Sequence, residues 1–291
     1  MKKRAICTQV FILFILTFFL FSGLTVLFAE GQAEAGPKKL RMLVLKTYVE
    51  DINTTFDRNV EEWEAMNNVE VEIDRYTFDE MQVKFATAVE TGDTPDIAEL
   101  EQVGPSRYHG MGQLLDVSDL FEEVVAQNGQ SPPEMDGAIK FDGKYYAIPH
   151  TYLPRLLNAR QDIVDQAGIN MPQTWDELEQ ASIKIKNAGI MDYPLGYSWN
   201  YSTDGYEPFL AQLYDRDASF CTEDGGYQPM LGQKGAEDTI GWCTQIYNKS
   251  KVVPPDALAW KGFTNNESFL EGTIAFTSNG NSIWWALEQR D

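Results

Sequence analysis

Histidine is nearly absent from this chain, cysteine is scarce, and cations are few: 23 Lys and Arg stand against 44 Asp and Glu. The two histidines, His109 and His150, have no paired spacing, so a zinc site of the usual His/Cys kind is unsupported and no metal is expected. No G-x-S-x-G elbow, P-loop or dinucleotide glycine fingerprint occurs, which removes the commonest signatures of hydrolase, nucleotide and nicotinamide chemistry. No cofactor is expected. The formal charge of −21 creates a field that repels phosphates, so nucleic acid is not expected as a partner. Nothing after residue 35 is apolar enough to cross a bilayer, and no internal repeat occurs.

What is present begins with an export grammar. Lys2, Lys3 and Arg4 precede an apolar run over 10–28, followed by Ala29 and the small-x-small pattern Ala33-Glu34-Ala35. This reads as a signal peptide over 1–29, with cleavage as late as 35. An uncleaved anchor is the alternative; Thr17, Ser22, Gly23 and Thr25 weaken it. No cysteine stands near the end of the run to take a lipid. The three leading cations leave with 1–29, taking the formal charge from −21 to −24. Cys7 leaves too, and export permits a disulfide between Cys221 and Cys243. Cys243 also falls on an apolar helical stripe with Ala236, Ile240 and Ile246, so a buried free thiol is an equal alternative.

At 291 residues the chain exceeds what one core serves well, and two domains are expected. The boundary is read at residues 139–149. There Ile139-Lys140-Phe141 and Lys144-Tyr145-Tyr146-Ala147-Ile148 flank Asp142-Gly143, a strong hairpin signal because both turn residues take positive φ. Pro149 then removes a donor and sends the chain out of the sheet.

Before that boundary the pattern alternates strand and helix. Leu40 to Leu45 reads as a strand covered on both faces. Phe56, Val60 and Trp63 repeat at helical spacing up to Asn67, with Trp63 assigned to packing. Val69, Val71 and Ile73 alternate with acids as a half-buried strand. Thr77-x-x-Glu80 is a capping box opening a helix with Met81, Phe85 and Val89 inward, closed by Gly92. Thr94 to Leu100 is expected as a third strand. Such alternation means a parallel sheet, whose ligands sit beyond the strands' carboxyl ends, here at Lys46-Thr47-Tyr48 and Glu99-Leu100-Glu101.

Beyond Pro149 a second alternation begins. Leu156-Leu157-Asn158 is a short strand, residues 162–167 a helix, and Thr174-x-x-Glu177 a second capping box with Leu178, Ala181 and Ile185 inward and Trp175 packed. Residues 193–199 read as strand, 236–248 as helix, and 273–278 as a buried strand running into Asn279-Gly280.

In this order the features resemble the extracellular solute-binding proteins of ATP-driven sugar importers, the group that includes maltose-binding protein. The resemblance rests on Thr94-Pro95-Asp96-Ile97, Gly110-x-Gly112-x-Leu114-Leu115-Asp116, Asp142-Gly143-Lys144-x-Tyr146-Ala147-Ile148-Pro149, Leu157-Asn158, Pro172-x-Thr174-Trp175-Asp176-Glu177-Leu178, and Phe269-x-x-Gly272-x-x-Ala275-Phe276 with Gly280 and Trp284. No single piece is specific; six in one order are. The resemblance implies a type II periplasmic-binding-protein fold, α/β, with two lobes joined by a hinge. Lobe 1 is then 38–148 plus 279–291, and lobe 2 is 149–278. The hinge falls at Pro149 and His150 on the first crossing and at Ser278 and Gly280 on the second. Family members continue past the Trp284 motif, so the chain is expected to lack the C-terminal part of the family fold.

The implied function is binding of a mono- or oligosaccharide and its delivery to the transmembrane permease subunits of an ABC importer. The protein is expected to act as a monomer in the periplasm or at the outer face of the cytoplasmic membrane, without catalysis. Sugars need aromatic platforms and a few placed polar groups. Aromatics in loop-like sequence supply the first: Tyr48, Tyr152, Trp199, Tyr201, Trp260 and Trp284 beside Trp285. Glu99, Arg155 and Asn279 are the polar candidates, with Glu101 and Asp204 behind them; Arg155 could fork onto hydroxyls or an acidic sugar, or pair with a protein acid. Two other readings stay open: a binder of peptides or compatible solutes on the same fold, and a secreted glycosidase using two carboxylates.

Overall fold

The computed structural model describes residues 38–289, except 102, 152, 221 and 223–226. The signal peptide, Tyr152 and Cys221 lie outside the described residues.

The first α/β unit is built on β1 (Lys38–Leu45). It is the middle strand of a parallel sheet ordered β2-β1-β3, with β2 at Val69–Tyr76 and β3 at Ile97–Ala98. The β1/β2 register runs from Lys38 opposite Val69 to Leu45 opposite Tyr76. Leu43 and Leu45 point to one face, as the period of two requires, and meet Met81, Phe85 and Tyr108 in a small core. Met81 and Phe85 come from α2 (Phe78–Thr91), which opens on the Thr77/Glu80 capping box and stops at Gly92 with φ +73°. Helix α1 (Glu50–Asn67) links β1 to β2, and Trp63 on it is 41% exposed rather than packed as expected. The third strand is two residues long, not seven. Beside Pro95, which has no N–H, the carboxylate of Asp96 takes the Arg41 N–H at 2.8 Å, ending the ladder.

Helices α3 (Gly104–Gly110) and α4 (Ser118–Asn128) follow. A short turn of helix, α5 (Asp136–Ile139), then leads to β4 (Lys140–Phe141) and β5 (Lys144–Tyr145). Asp142 and Gly143 both take positive φ, at 52° and 79°, as the hairpin requires. The hairpin is nevertheless a separate two-stranded sheet beside α4, not part of the parallel sheet. Tyr145 stacks on Phe121, with centroids 3.7 Å apart, and Lys144 pairs with Asp116 at 2.7 Å.

The second unit is built on β8 (Phe276–Asn279), which lies between β6 (Leu156–Ala159) and β7 (Leu195–Gly196). It runs antiparallel to β6 and parallel to β7. Around it pack α6 (Gln161–Gln166), α7 (Trp175–Asn187), α8 (Thr203–Asp215), α9 (Lys234–Asn248) and α10 (Thr264–Leu270). Its core is the larger one, with Ile185, Ile246, Ile274 and Phe276 fully buried. Thr174 caps α7 by accepting the Glu177 N–H at 3.2 Å. Gly196 is required by close approach, since a Cβ there would sit 2.2 Å from the Ile274 side chain.

Cys221, one member of the expected pair, lies outside the described residues, while Cys243 is fully buried as a thiol, 3.8 Å from Tyr197 Oη. Burial holds its pKa up at about 11. The last helix, α11 (Ser282–Glu288), replaces the loop expected around Trp284. Residues 279–291 were expected with the first unit, but Asn279 ends β8 and Ile283 is buried in the second core. The apolar face of α11 explains this: Ile283 needs a dry neighbour, and α10 with its core supplies one. Gln289 reaches back to the first unit, donating to Asp51 of α1 at 2.9 Å.

Removing the buried branch in Ile246→Ala should cost about 2–5 kcal/mol, read as a lower urea midpoint with an unchanged slope. Gly196→Ala should lower it as well, while Ile240→Ala, on the exposed side of the same helix, should leave it nearly unchanged.

Candidate functional site

The chain passes from the first unit to the second at residues 149–155, and this segment runs beside the turn that follows β8. Leu156 pairs with Asn279 at the end of the second sheet, and the backbone at Gly280 runs about a side chain's width from Leu153 and Pro154. The loop after β1 and the segment after β3 meet the segment before α10 and the N-terminus of α8.

The loop after β1 is held by Asn53, which is 4% exposed. Its side-chain oxygen accepts the Thr47 N–H and hydroxyl at 3.0 and 3.1 Å, and its amide donates to the Thr47 carbonyl. This rigid turn presents Tyr48 to Phe263 of the second unit, with ring centroids 5.0 Å apart and planes at 60°. Tyr48, expected to face a ligand, meets Phe263, a partner the sequence did not single out.

Glu99 turns back onto its own unit. Its carboxylate accepts the Leu45 N–H at 2.9 Å and lies 3.5 Å from Nδ1 of His150. The hydrogen bond to Glu99 is the largest cause raising the His150 pKa, opposed by burial. His150 also meets Phe56 edge-on at 5.9 Å, so the first crossing is anchored to α1.

Glu101, two residues on, reaches across the gap. One carboxylate oxygen accepts Gln82 Nε2 at 2.5 Å and the other accepts the Thr203 hydroxyl at 2.9 Å. The Tyr206 phenol interacts electrostatically with the same carboxylate. Burial is the main cause holding Glu101 above the usual carboxylate range, and burial likewise lifts the Tyr206 phenol to about 12.

Arg155 is engaged internally. Its guanidinium donates to Asp204 at 2.7 Å and pairs with Glu207, both on α8, so its fork is not free for an acidic sugar. Burial pushes the Asp204 carboxyl up, and Arg155 opposes that shift.

The aromatic candidates divide. Trp260 was expected at the ligand edge but is 7% exposed in the second core, its indole N–H held by Asp256 at 3.2 Å, so it is a packing residue. Trp199 is half-buried and stacks on Phe209 at 6.4 Å. Tyr201 is 93% exposed, one residue before the cap of α8. Trp284 is about half exposed and meets Trp285 edge-on at 5.0 Å. Asn279 is buried, tied to Asn266 and to the Gly280 N–H at 2.6 Å, which makes it a turn-forming residue rather than a free donor. Ser278 pairs with Leu157 across β6 and β8, and Pro149 is half-buried at the first crossing.

Gln82, Thr203, Tyr206 and Phe263 were not foreseen. Gln82 sits on a helix whose pattern reads only as packing, and Thr203 reads only as a helix start. Among the described residues no cluster of His, Cys, Asp and Glu suits a metal, and no helix is long and apolar enough to cross a membrane.

A family model described as bacterial extracellular solute-binding protein matches residues 59–291. The diacetylchitobiose binding protein DasA of Streptomyces coelicolor is 30% identical over 221 residues, covering 70% of this chain and 51% of that protein. The arabinooligosaccharide-binding protein of Halalkalibacterium halodurans is 26% identical over 156 residues, 52% of this chain and 33% of that protein. The chain therefore spans a third to a half of the length of these relatives. Among solved structures, an ABC transporter solute-binding protein from Thermotoga lettingae bound with α-D-tagatose superposes with a TM-score of 0.74 at 21% identity, covering 84% of this chain and 63% of that one. Maltose-bound MalE3 of Thermotoga maritima gives 0.74 at 20% identity, with 84% and 62% coverage. These likenesses show the two-lobed α/β fold of the maltose-binding type.

Two expected outcomes test the anchors of the site. Arg155→Met should destabilise the protein by about 1–3 kcal/mol by stranding half-buried Asp204, seen in urea unfolding, whereas a residue serving only ligand would leave unfolding unchanged. His150 has a raised folded pKa, so its pair with Glu99 contributes fully below the ordinary value of 6.5 and fades as pH rises through the folded pKa. The Tm gap between wild type and His150→Gln should accordingly be larger at pH 6 than at pH 9.

Proposed function

Because the chain belongs to the bacterial extracellular solute-binding proteins, we propose that it binds a mono- or oligosaccharide or a related polyol between its two units and delivers it to the transmembrane permease subunits of an ABC importer. The units divide into a lobe of residues 38–148, with Gln289 touching it from the C-terminal helix, and a lobe of residues 149–288. The hinge is the crossing at 149–155, which lies beside the turn at 279–281. The observation that carries this reading is the set of contacts closing the gap from both sides: Tyr48 on Phe263, and Glu101 on Thr203 and Tyr206. Rings and hydroxyl-competent groups facing each other across a hinge are what a polyol needs, because its C–H faces take aromatic surface and its hydroxyls exchange hydrogen bonds. Contacts to the second lobe exist only when the jaw is shut, so ligand that bridges both lobes shifts the population toward closure. The permease would read that closed form.

The ligands of the relatives and neighbours, diacetylchitobiose, arabinooligosaccharide, maltose and tagatose, all fit this chemistry. Arg155, held by two acids, argues against a uronic acid as the preferred ligand. We place the protein outside the cytoplasmic membrane, acting as a monomer and without catalysis.

The test is tryptophan fluorescence titration of the intact protein with a panel of neutral mono- and oligosaccharides, polyols, peptides and quaternary amines. Saturable change with a sugar or polyol is expected; response to peptides or amines alone, or release of shortened sugar, would overturn the reading. Tyr48→Ala and Trp284→Ala should each weaken the sugar by about 1–3 kcal/mol if their rings are platforms, a range taken from aromatic stacking on bases. Trp260→Ala should instead lower the urea midpoint.

A further inference from the structure

We propose that Glu101 is a positioning residue that latches the two lobes across the cleft and makes their closure respond to pH. The placement carries the argument. Glu101 stands on the segment between β3 and α3, and its half-buried carboxylate collects donors from two other elements. Gln82 of α2 is on its own side; Thr203 and Tyr206 belong to the N-terminal turns of α8 on the far side. Removing the far lobe would leave Glu101 with Gln82 and water.

Among the described residues no cation answers this carboxylate. The charged and titratable groups facing it are Asp79 of α2, of like sign, and Tyr206 of α8. Arg155, from the segment before β6, acts on Tyr206 but is engaged by Asp204 and Glu207. Glu99, in the same segment, is turned toward Leu45 and His150. Closing the cleft therefore moves a carboxylate out of water into neutral donors, and desolvation outweighs the hydrogen bonds. Opening returns it to water and to its ordinary pKa. The closed form then holds its proton more tightly than the open form, so acidification from the closed-state pKa toward about 4.5 drives closure. Above that window the open and closed forms bind the same number of protons, and closure no longer depends on this group.

The inference rests on the two-lobe hinge but not on any ligand, and its test contains none. Small-angle X-ray scattering of the intact protein without sugar should give a radius of gyration that falls between pH 8 and pH 5. Glu101→Gln, which keeps the shape and one accepting oxygen and removes the titration, should give a radius that is flat over that range. Thr203→Val should be more expanded than wild type at every pH, with circular dichroism confirming that it is folded. A Glu101→Gln profile that follows wild type, or a Thr203→Val radius equal to wild type throughout, would overturn the latch. His150→Gln separates the neighbouring titration: it should leave the profile below pH 6 in place, and its loss there would assign the effect to His150 instead. A failed sugar titration would leave these outcomes untouched.

Discussion

The constraint on which the rest of this molecule depends is the pairing of β6 with β8. Leu156 lies opposite Asn279, so the chain's first departure from the N-terminal unit and its later exit from the second sheet are fixed side by side. The units meet again at Tyr48 with Phe263 and at Glu101 with Thr203. The strand that provides the pairing is also the centre of the larger core, with Phe276 fully buried, so hinge and core cannot be altered independently.

Charge in the cleft is arranged by local neutralisation rather than by an excess of cations. The −21 chain could not surround its cleft with Lys and Arg. Arg155 is absorbed by Asp204 and Glu207, and Glu99 by a backbone N–H and His150. What faces the gap is then hydroxyl, amide and an unpaired carboxylate, groups suited to exchanging hydrogen bonds with a polyol. A buried ion pair of this kind holds elements in place more than it adds net stability, since its desolvation cost offsets much of its attraction.

Much of the first unit was legible because its signals are periodic. The continuous apolar run of β1, the alternation in β2 and the Thr77 capping box each express one face against one neighbour, and each lies where the sequence pattern puts it. The Asp142-Gly143 turn was legible for a different reason: positive φ at two successive positions selects residue type directly. The aromatics were harder. Trp260 stands in loop-like sequence, yet the loop folds back over the second core and buries it, while Trp63, on a helix with apolar spacing, remains 41% exposed. A loop's sequence says nothing about what it lies against. Helix α11 was missed because seven residues carry too few turns to show a period.

By itself the sequence determined element type, the α/β alternation, the turns and the family pattern, because those depend on neighbours within a few residues along the chain. The tertiary structure decided which polar groups were available. Asn279, Glu99 and Arg155 looked alike as candidates, and only their partners, 13, 51 and 49 residues distant in sequence, separated turn-former and ion pairs from open cleft. Gln82 and Thr203 became neighbours of Glu101 through packing of three elements, a juxtaposition that no local spacing encodes.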